Sequence, residues 1–123
     1  MSQKKRESSE DYLERILMLQ NKIGNVRAID IAVDMGYSKP SVSIAMKKLK
    51  ENNYILVNND GFIALTEIGY KIAATVLERH QVLSEMLIAL GVDKDIAYED
   101  ACKLEHDLSP ESFEAIKNHF RKY

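Results

Sequence analysis

Between residues 54 and 65 the hydrophobic pattern of this chain changes from a helical period to a strand-like one. Tyr54-Ile-Leu-Val57 and Phe62-Ile-Ala-Leu65 are rich in β-branched and aromatic residues. Between them stands Asn58-Asn-Asp-Gly61, built from the residues that tight hairpin turns favour. The pattern on either side is helical. The expected fold class is therefore mainly α with a small β-hairpin.

What precedes the hairpin narrows this further. Ser8-Ser-Glu-Asp11 has the spacing of a capping box and predicts a helix start there, with residues 1–7 polar and frayed. Tyr12, Leu13, Ile16, Leu17 and Leu19 supply its apolar face, and Gly24-Asn25 ends it. A short helix over 28–34 follows, with Ile29, Ala32 and Val33 inward, then a tight break at Met35-Gly36-Tyr37. A third helix is predicted from Ser38 to about residue 51. Pro40 falls in its first turn, where a missing N–H does no harm.

Helix, short helix, tight turn, helix and hairpin is the order of a winged helix-turn-helix, in which the helix after the turn enters the major groove. The charge distribution agrees. Residues 1–65 hold ten Lys/Arg against eight Asp/Glu, whereas 66–123 hold seven against eleven. Residues 37–50 carry Lys39, Lys47, Lys48 and Lys50 and no acid. Ser38, Ser41 and Ser43 are expected at or near base edges and phosphates, with Lys39, Lys47 and Lys48 on phosphates and Pro40 among them. The plainer reading is a helical domain with a solvated lysine face.

After the hairpin, Thr66 reads as the N-cap of a long helix to about residue 90, apolar at Ile68, Ile72, Val76, Leu83, Leu87 and Leu90. Gly91-Val92-Asp93 breaks it, a further helix is predicted over 95–107, and Ser109-Pro110-Glu111 starts a last one to about 120. In the 95–107 segment, Cys102-Lys-Leu-Glu105-His106 places a thiol, a carboxylate and an imidazole at i, i+3 and i+4, on one helical face. That donor set suits iron(II), zinc, cobalt or nickel and tolerates manganese(II). Asp11 and Glu14 form a second same-face pair, and His80 lies in the long helix. Each has a bland alternative. Glu105 and His106 would be solvated, Cys102 a small core residue, Asp11 a cap, Glu14 a surface charge and His80 structural.

Taken together, these residues resemble the diphtheria-toxin-repressor family of metal-dependent transcriptional regulators, and more closely its short manganese-responsive branch. The resemblance rests on Ser9-Glu-Asp-Tyr-Leu-Glu14, Ser38-Lys-Pro-Ser-Val-Ser43 with Lys48-Leu49, Leu65-Thr66 with Gly69, Arg79-His80, and Cys102-x-x-Glu105-His106-x-Leu108-Ser109, and it covers nearly the whole chain. It implies metal ligands at Asp11, Glu14, His80, Glu105 and His106, with Cys102 where the manganese branch has glutamate. It also implies two ions per subunit. Cysteine there is the iron branch's choice, whereas Asp11 stands where that branch usually has methionine. The iron branch's ancillary positions fall on Ser84 and Tyr98, poor ligands. The implied cofactor is therefore iron(II) or manganese(II) in a hybrid site. No C-terminal third domain is expected.

Composition bounds the remainder. Hydrophobic residues at 46% and charged residues at 29% exclude wholesale disorder. No apolar run approaches the roughly 18 residues of a membrane span, and no apolar segment follows the basic N-terminus. One cysteine cannot form an internal disulfide. Cytoplasmic localisation is expected, without membrane association or enzymatic activity.

The expected organisation is a winged helix-turn-helix DNA-binding domain over 1–72 and a helical metal-binding and dimerisation domain over 73–123. A homodimer would place two recognition helices on a palindromic operator in double-stranded DNA. The apolar Leu87, Leu90, Val92, Ile96, Leu104, Leu108, Phe113 and Ile116 exceed what two or three short helices bury alone. Metal would act as corepressor, coupling the two lobes. The rivals are a winged-helix regulator that does not use metal, a metal-dependent hydrolase and a protein-interaction module.

Overall fold

The computed structural model describes residues 3–121. In chain order the elements are α1 (Gln3–Ile23), α2 (Ala28–Met35), α3 (Lys39–Glu51), β1 (Ile55–Val57), β2 (Ile63–Leu65), α4 (Glu67–Ala89), α5 (Lys94–Leu104) and α6 (Pro110–Phe120). The mainly helical class with one antiparallel hairpin is what the periods predict. The chain divides into two compact units, Met1–Ala74 and Thr75–Tyr123, and the division falls inside α4. Among the described residues no helix is long and apolar enough to cross a membrane.

In the first unit α1 buries the predicted Tyr12, Leu13, Ile16, Leu17 and Leu19. Its start differs from expectation. The chain is already helical at Gln3, so Ser8 and Ser9 are internal and residues 3–7 are not frayed; residues 1 and 2 lie outside the described residues. Lys4, Lys5, Arg6 and Glu7 are good helix formers with no glycine or proline among them, so nothing stops the helix at the serines.

α2 also departs from expectation. Ile31 and Ala32 are buried, whereas Ile29 is exposed and Val33 is 74% exposed. Every position of α2 except Asp30 and Asp34 is apolar, so period alone cannot choose a face. Tertiary contacts do, and among them Arg15 Nη1 of α1 holds Asp34 Oδ2 at 3.1 Å. Gly36, at φ 71°, closes α2 in the left-handed region that glycine enters freely.

α3 follows at once. Ser38 Oγ caps it by accepting from the Ser41 N–H at 3.3 Å, with Lys39 and Pro40 in the first turn. Val42, Met46 and Leu49 face the core. The hairpin pairs Ile55 with Leu65, Leu56 with Ala64 and Val57 with Ile63. Asn58 builds the turn, since its Oδ1 accepts from the N–H groups of Asp60 and Phe62, both at 2.9 Å. The Ile63 N–H donates to the Val26 carbonyl at 2.8 Å, which fastens the hairpin to the segment after α1.

Thr66 caps α4 as predicted. Its Oγ1 accepts from the Gly69 N–H at 3.1 Å and lies 2.7 Å from the Asn53 carbonyl and 3.1 Å from that of Tyr54. Gly69 has no room for a side chain. A Cβ there would stand 2.0 Å from the Tyr54 carbonyl oxygen.

The second unit buries Val76, Val82, Leu83, Ala97, Ala101 and Phe113. The apolar stripe predicted for α4 is only partly right, because Ile68 is exposed and Leu90 lies exposed beyond the helix end at Ala89. Small Ala73 and Val82 take the buried places instead. α5 stops at Leu104 rather than at residue 107, leaving Glu105 as its C-cap and His106-Asp107 in a turn. Pro110 disfavours helical backbone at Ser109, which caps α6, so the chain must leave α5 beforehand. Ile88, Leu90, Ile96, Tyr98 and Leu104 leave apolar surface exposed on this unit.

Candidate metal centre and nucleic-acid interface

The centre in the second unit is built from α4 and the end of α5. His80 Nδ1 lies 3.1 Å from Glu105 Oε2 and 3.6 Å from Cys102 Sγ. One donor atom from each of the three residues falls within 4.8 Å of the others, close enough for one ion to reach them all. Glu105 is 1% exposed, and its Oε1 has no hydrogen-bond partner among the described residues. The nearby His106 Nε2, at 3.5 Å, is at the outer limit of hydrogen-bonding distance. A buried carboxylate oxygen left unpaired is costly, so the geometry fits a cation that has no place in a packed apolar core. A thiol, an imidazole and a carboxylate are also the donor chemistry of a transition-metal site.

The pKa of His80 is pushed up to about 10, chiefly by its hydrogen bond to Cys102 and next by that to Glu105, with burial opposing. The imidazolium is therefore the counter-charge of Glu105 in the metal-free chain, and a cation taking its place would release that proton. Two bland readings fail on position. Cys102 is exposed rather than a core residue, and Glu105 and His106 are buried rather than solvated.

Arg79, beside His80, was not singled out for a role by sequence. Its Nη1 donates to the carbonyls of Glu105 at 2.9 Å and Leu108 at 2.8 Å. Its guanidinium lies 5.3 Å from the centre of the Phe113 ring. It thus donates to the α5 C-cap carbonyl and to one just before α6, and fixes the turn that carries Glu105 and His106. Ser84 is buried, and Tyr98 offers its ring 5.9 Å from that of His80.

In the first unit Asp11 is half-buried and Glu14 buried, one turn apart on α1. α3 presents Ser38, Lys39, Pro40, Ser41, Ser43, Lys47 and Lys48, all exposed. No acid enters that face before Glu51. Arg27 stacks over Phe62 at 4.4 Å beside the wing.

A winged helix-turn-helix head joined through one helix to a second unit with a thiol–imidazole–carboxylate cluster defines a DNA-binding regulator of the metal-responsive kind. Residues 6–61 match the family model "Iron dependent repressor, N-terminal DNA binding domain", and residues 66–122 match "Iron dependent repressor, metal binding and dimerisation domain". The transcriptional regulator MntR of Escherichia coli is 34% identical over 119 residues, 97% of this chain and 77% of that protein. The HTH-type transcriptional regulator MntR of Bacillus subtilis is 35% identical over 109 residues, 89% and 77% respectively.

Among solved structures, that of the manganese regulator SloR superposes with TM-score 0.81 at 28% identity over 92% of this chain. A manganese-dependent transcriptional repressor in complex with manganese gives 0.82 at 27% over 91%. The chain spans about half the length of these two solved chains, 53% and 52%. The chain belongs to the iron-dependent-repressor family of metal-dependent transcriptional regulators. The match to a metal-binding and dimerisation domain sets aside the reading of a winged-helix regulator without metal.

Proposed function

We propose that this chain represses transcription from a palindromic operator when iron(II) or manganese(II) is bound, and releases the operator when the ion is withdrawn. The buried Glu105, with one oxygen lacking a hydrogen-bond partner and the other set against His80 beside Cys102, carries this reading. The bound ion supplies positive charge and a fixed coordination geometry. His80, Cys102 and Glu105 would hold it, and His106, Asp11 and Glu14 would complete a set for two ions per subunit, as the family resemblance implies.

The ligands divide between the units. Asp11 and Glu14 belong to the DNA-binding unit, and the other four belong to the second. On this reading a bound ion would offset the charge of acidic ligands drawn from both units and so couple them. With the ion bound, the favoured dimers would be those in which both α3 helices, through Ser38, Ser41, Ser43, Lys39, Lys47 and Lys48, meet successive major grooves. The exposed apolar residues of the second unit supply the dimer face. The protein works in the cytoplasm, where the operator and the reduced thiol of Cys102 both persist.

Cys102 favours iron(II) through its soft sulfur, while Asp11 keeps manganese(II) acceptable. Both ions activate, with iron(II) somewhat ahead. The test is DNA binding titrated with iron(II), manganese(II), zinc and cobalt, on duplexes selected from a randomised pool by the full chain. Equal binding with and without every metal refutes the proposal.

A further inference from the structure

The outward face of α3 includes an apolar position near the middle of the helix. Val42, Met46 and Leu49 point into the core. At about 100° per residue, the direction opposite them falls on Pro40, Ile44, Lys47 and Glu51. Ile44 stands on that face midway along the helix and is 58% exposed, with exposed Ser43, Lys47 and Lys48 around it and Glu51 two turns further on. Pro40, one turn earlier, is also exposed, so the two make a short apolar strip down the centre of a basic face. An apolar strip in that position is poorly suited to phosphates, which the flanking lysines serve.

We infer that Ile44 reads sequence by packing on the 5-methyl group of a thymine in the major groove, one in each half-site. This rests on the proposed DNA-binding function of α3. Isoleucine has no donor or acceptor and cannot read the hydrogen-bonding edges of bases. The one apolar group that a base pair offers in the major groove is the thymine methyl. The strip is flanked by phosphate-binding charge on the same helix, so DNA brings it to a base edge rather than to the backbone. Recognition at this position is thus of shape and methyl content, with no hydrogen bond.

The test uses the full chain with manganese(II) and the duplex it selects from a randomised pool. Each thymine is then replaced by uracil, which removes the methyl and nothing else. At one position per half-site the parent is expected to lose about fourfold in affinity per methyl, the transfer free energy of one such group. Ile44→Ala is expected to bind the thymine and uracil duplexes equally, and Ile44→Gln to favour adenine there through its amide. Lys47→Ala weakens both duplexes alike and keeps the methyl penalty.

Ile44 is exposed, so both variants are expected to keep the parent's melting temperature. An unchanged penalty in Ile44→Ala, or no penalty anywhere in the parent, overturns the inference. So does a change of oligomeric state in Ile44→Ala with the penalty intact, which would make Ile44 a protein contact. Failure of any metal to promote selection of a duplex overturns the proposed function itself, and is seen before uracil is introduced.

Discussion

Replacing Arg79 by methionine keeps the aliphatic stem and removes the guanidinium. Two hydrogen bonds are lost, to the Glu105 carbonyl at 2.9 Å and the Leu108 carbonyl at 2.8 Å. Each charge-assisted bond is worth roughly 1.5–3 kcal/mol. The stacking on Phe113 adds about 0.5–1 kcal/mol. Against this, Arg79 Nε is buried without a partner, and removing it relieves a desolvation penalty of about 1–3 kcal/mol. The central values leave a net loss of about 3 kcal/mol, or roughly 10 °C in melting temperature for a chain of this size.

The functional effect of Arg79→Met is larger in proportion. The freed turn carries Glu105 and His106, and loosening the support of metal ligands typically weakens binding 10–100-fold. Calorimetric titration with manganese(II) beside a thermal melt measures both quantities. A melting temperature within about 2 °C of the parent and unchanged metal affinity would refute the clamp. Arg79→Lys, which offers one point charge to two carbonyls, is expected to fall between.

Glu105→Gln keeps shape and removes charge, and is expected to abolish metal-activated DNA binding while leaving the dimer intact; metal-dependent binding in that variant removes Glu105 from the site. Lys47→Ala with Lys48→Ala is expected to lower the slope of log K against log salt by about two, one per phosphate contact, and an unchanged slope places the DNA surface elsewhere. Cys102→Glu is expected to shift preference toward manganese(II) and Asp11→Met away from it; identical metal rankings in both defeat the hybrid-site account. Peroxide, by oxidising the exposed thiol, is expected to release DNA from the parent but not from Cys102→Glu. Gly69→Ala drives a Cβ to 2.0 Å from a backbone oxygen that cannot swing aside, and a loss of about 3 kcal/mol or more in urea unfolding is expected.

The parts of this fold written in local chemistry were legible. Asn58 organises its own turn within four residues, and Thr66 caps its own helix, so short-range rules suffice for both. The inward face of α2 was not, because a helix apolar almost all round is oriented by its neighbours. The end of α5 was missed for a similar reason. The turn that follows it is held by Arg79, bonded to the carbonyls of Glu105 and Leu108 from 26 and 29 residues away, and no short window along the chain contains that pairing.

At the site, residue types and spacing pointed to His80, Cys102 and Glu105, and the structure brings those three together. What spacing could not reveal is that Glu105 is buried with one oxygen unpaired, since burial belongs to the assembled unit. Ile44 was within reach, because a wheel drawn on Val42, Met46 and Leu49 leaves it opposite the core.

The seat that Thr66 and Gly69 form beneath the hairpin decides where this protein can be cut. One hydroxyl joins the carbonyls of Asn53 and Tyr54 to the first turn of α4, and the hairpin's entry strand rests on a glycine four residues beyond its exit strand. A fragment ending at Leu65 would keep both strands and all of α3 yet lack the peg that holds them. The smallest head able to stand alone therefore extends into α4, past Gly69 and toward Ala74, where the first compact unit closes.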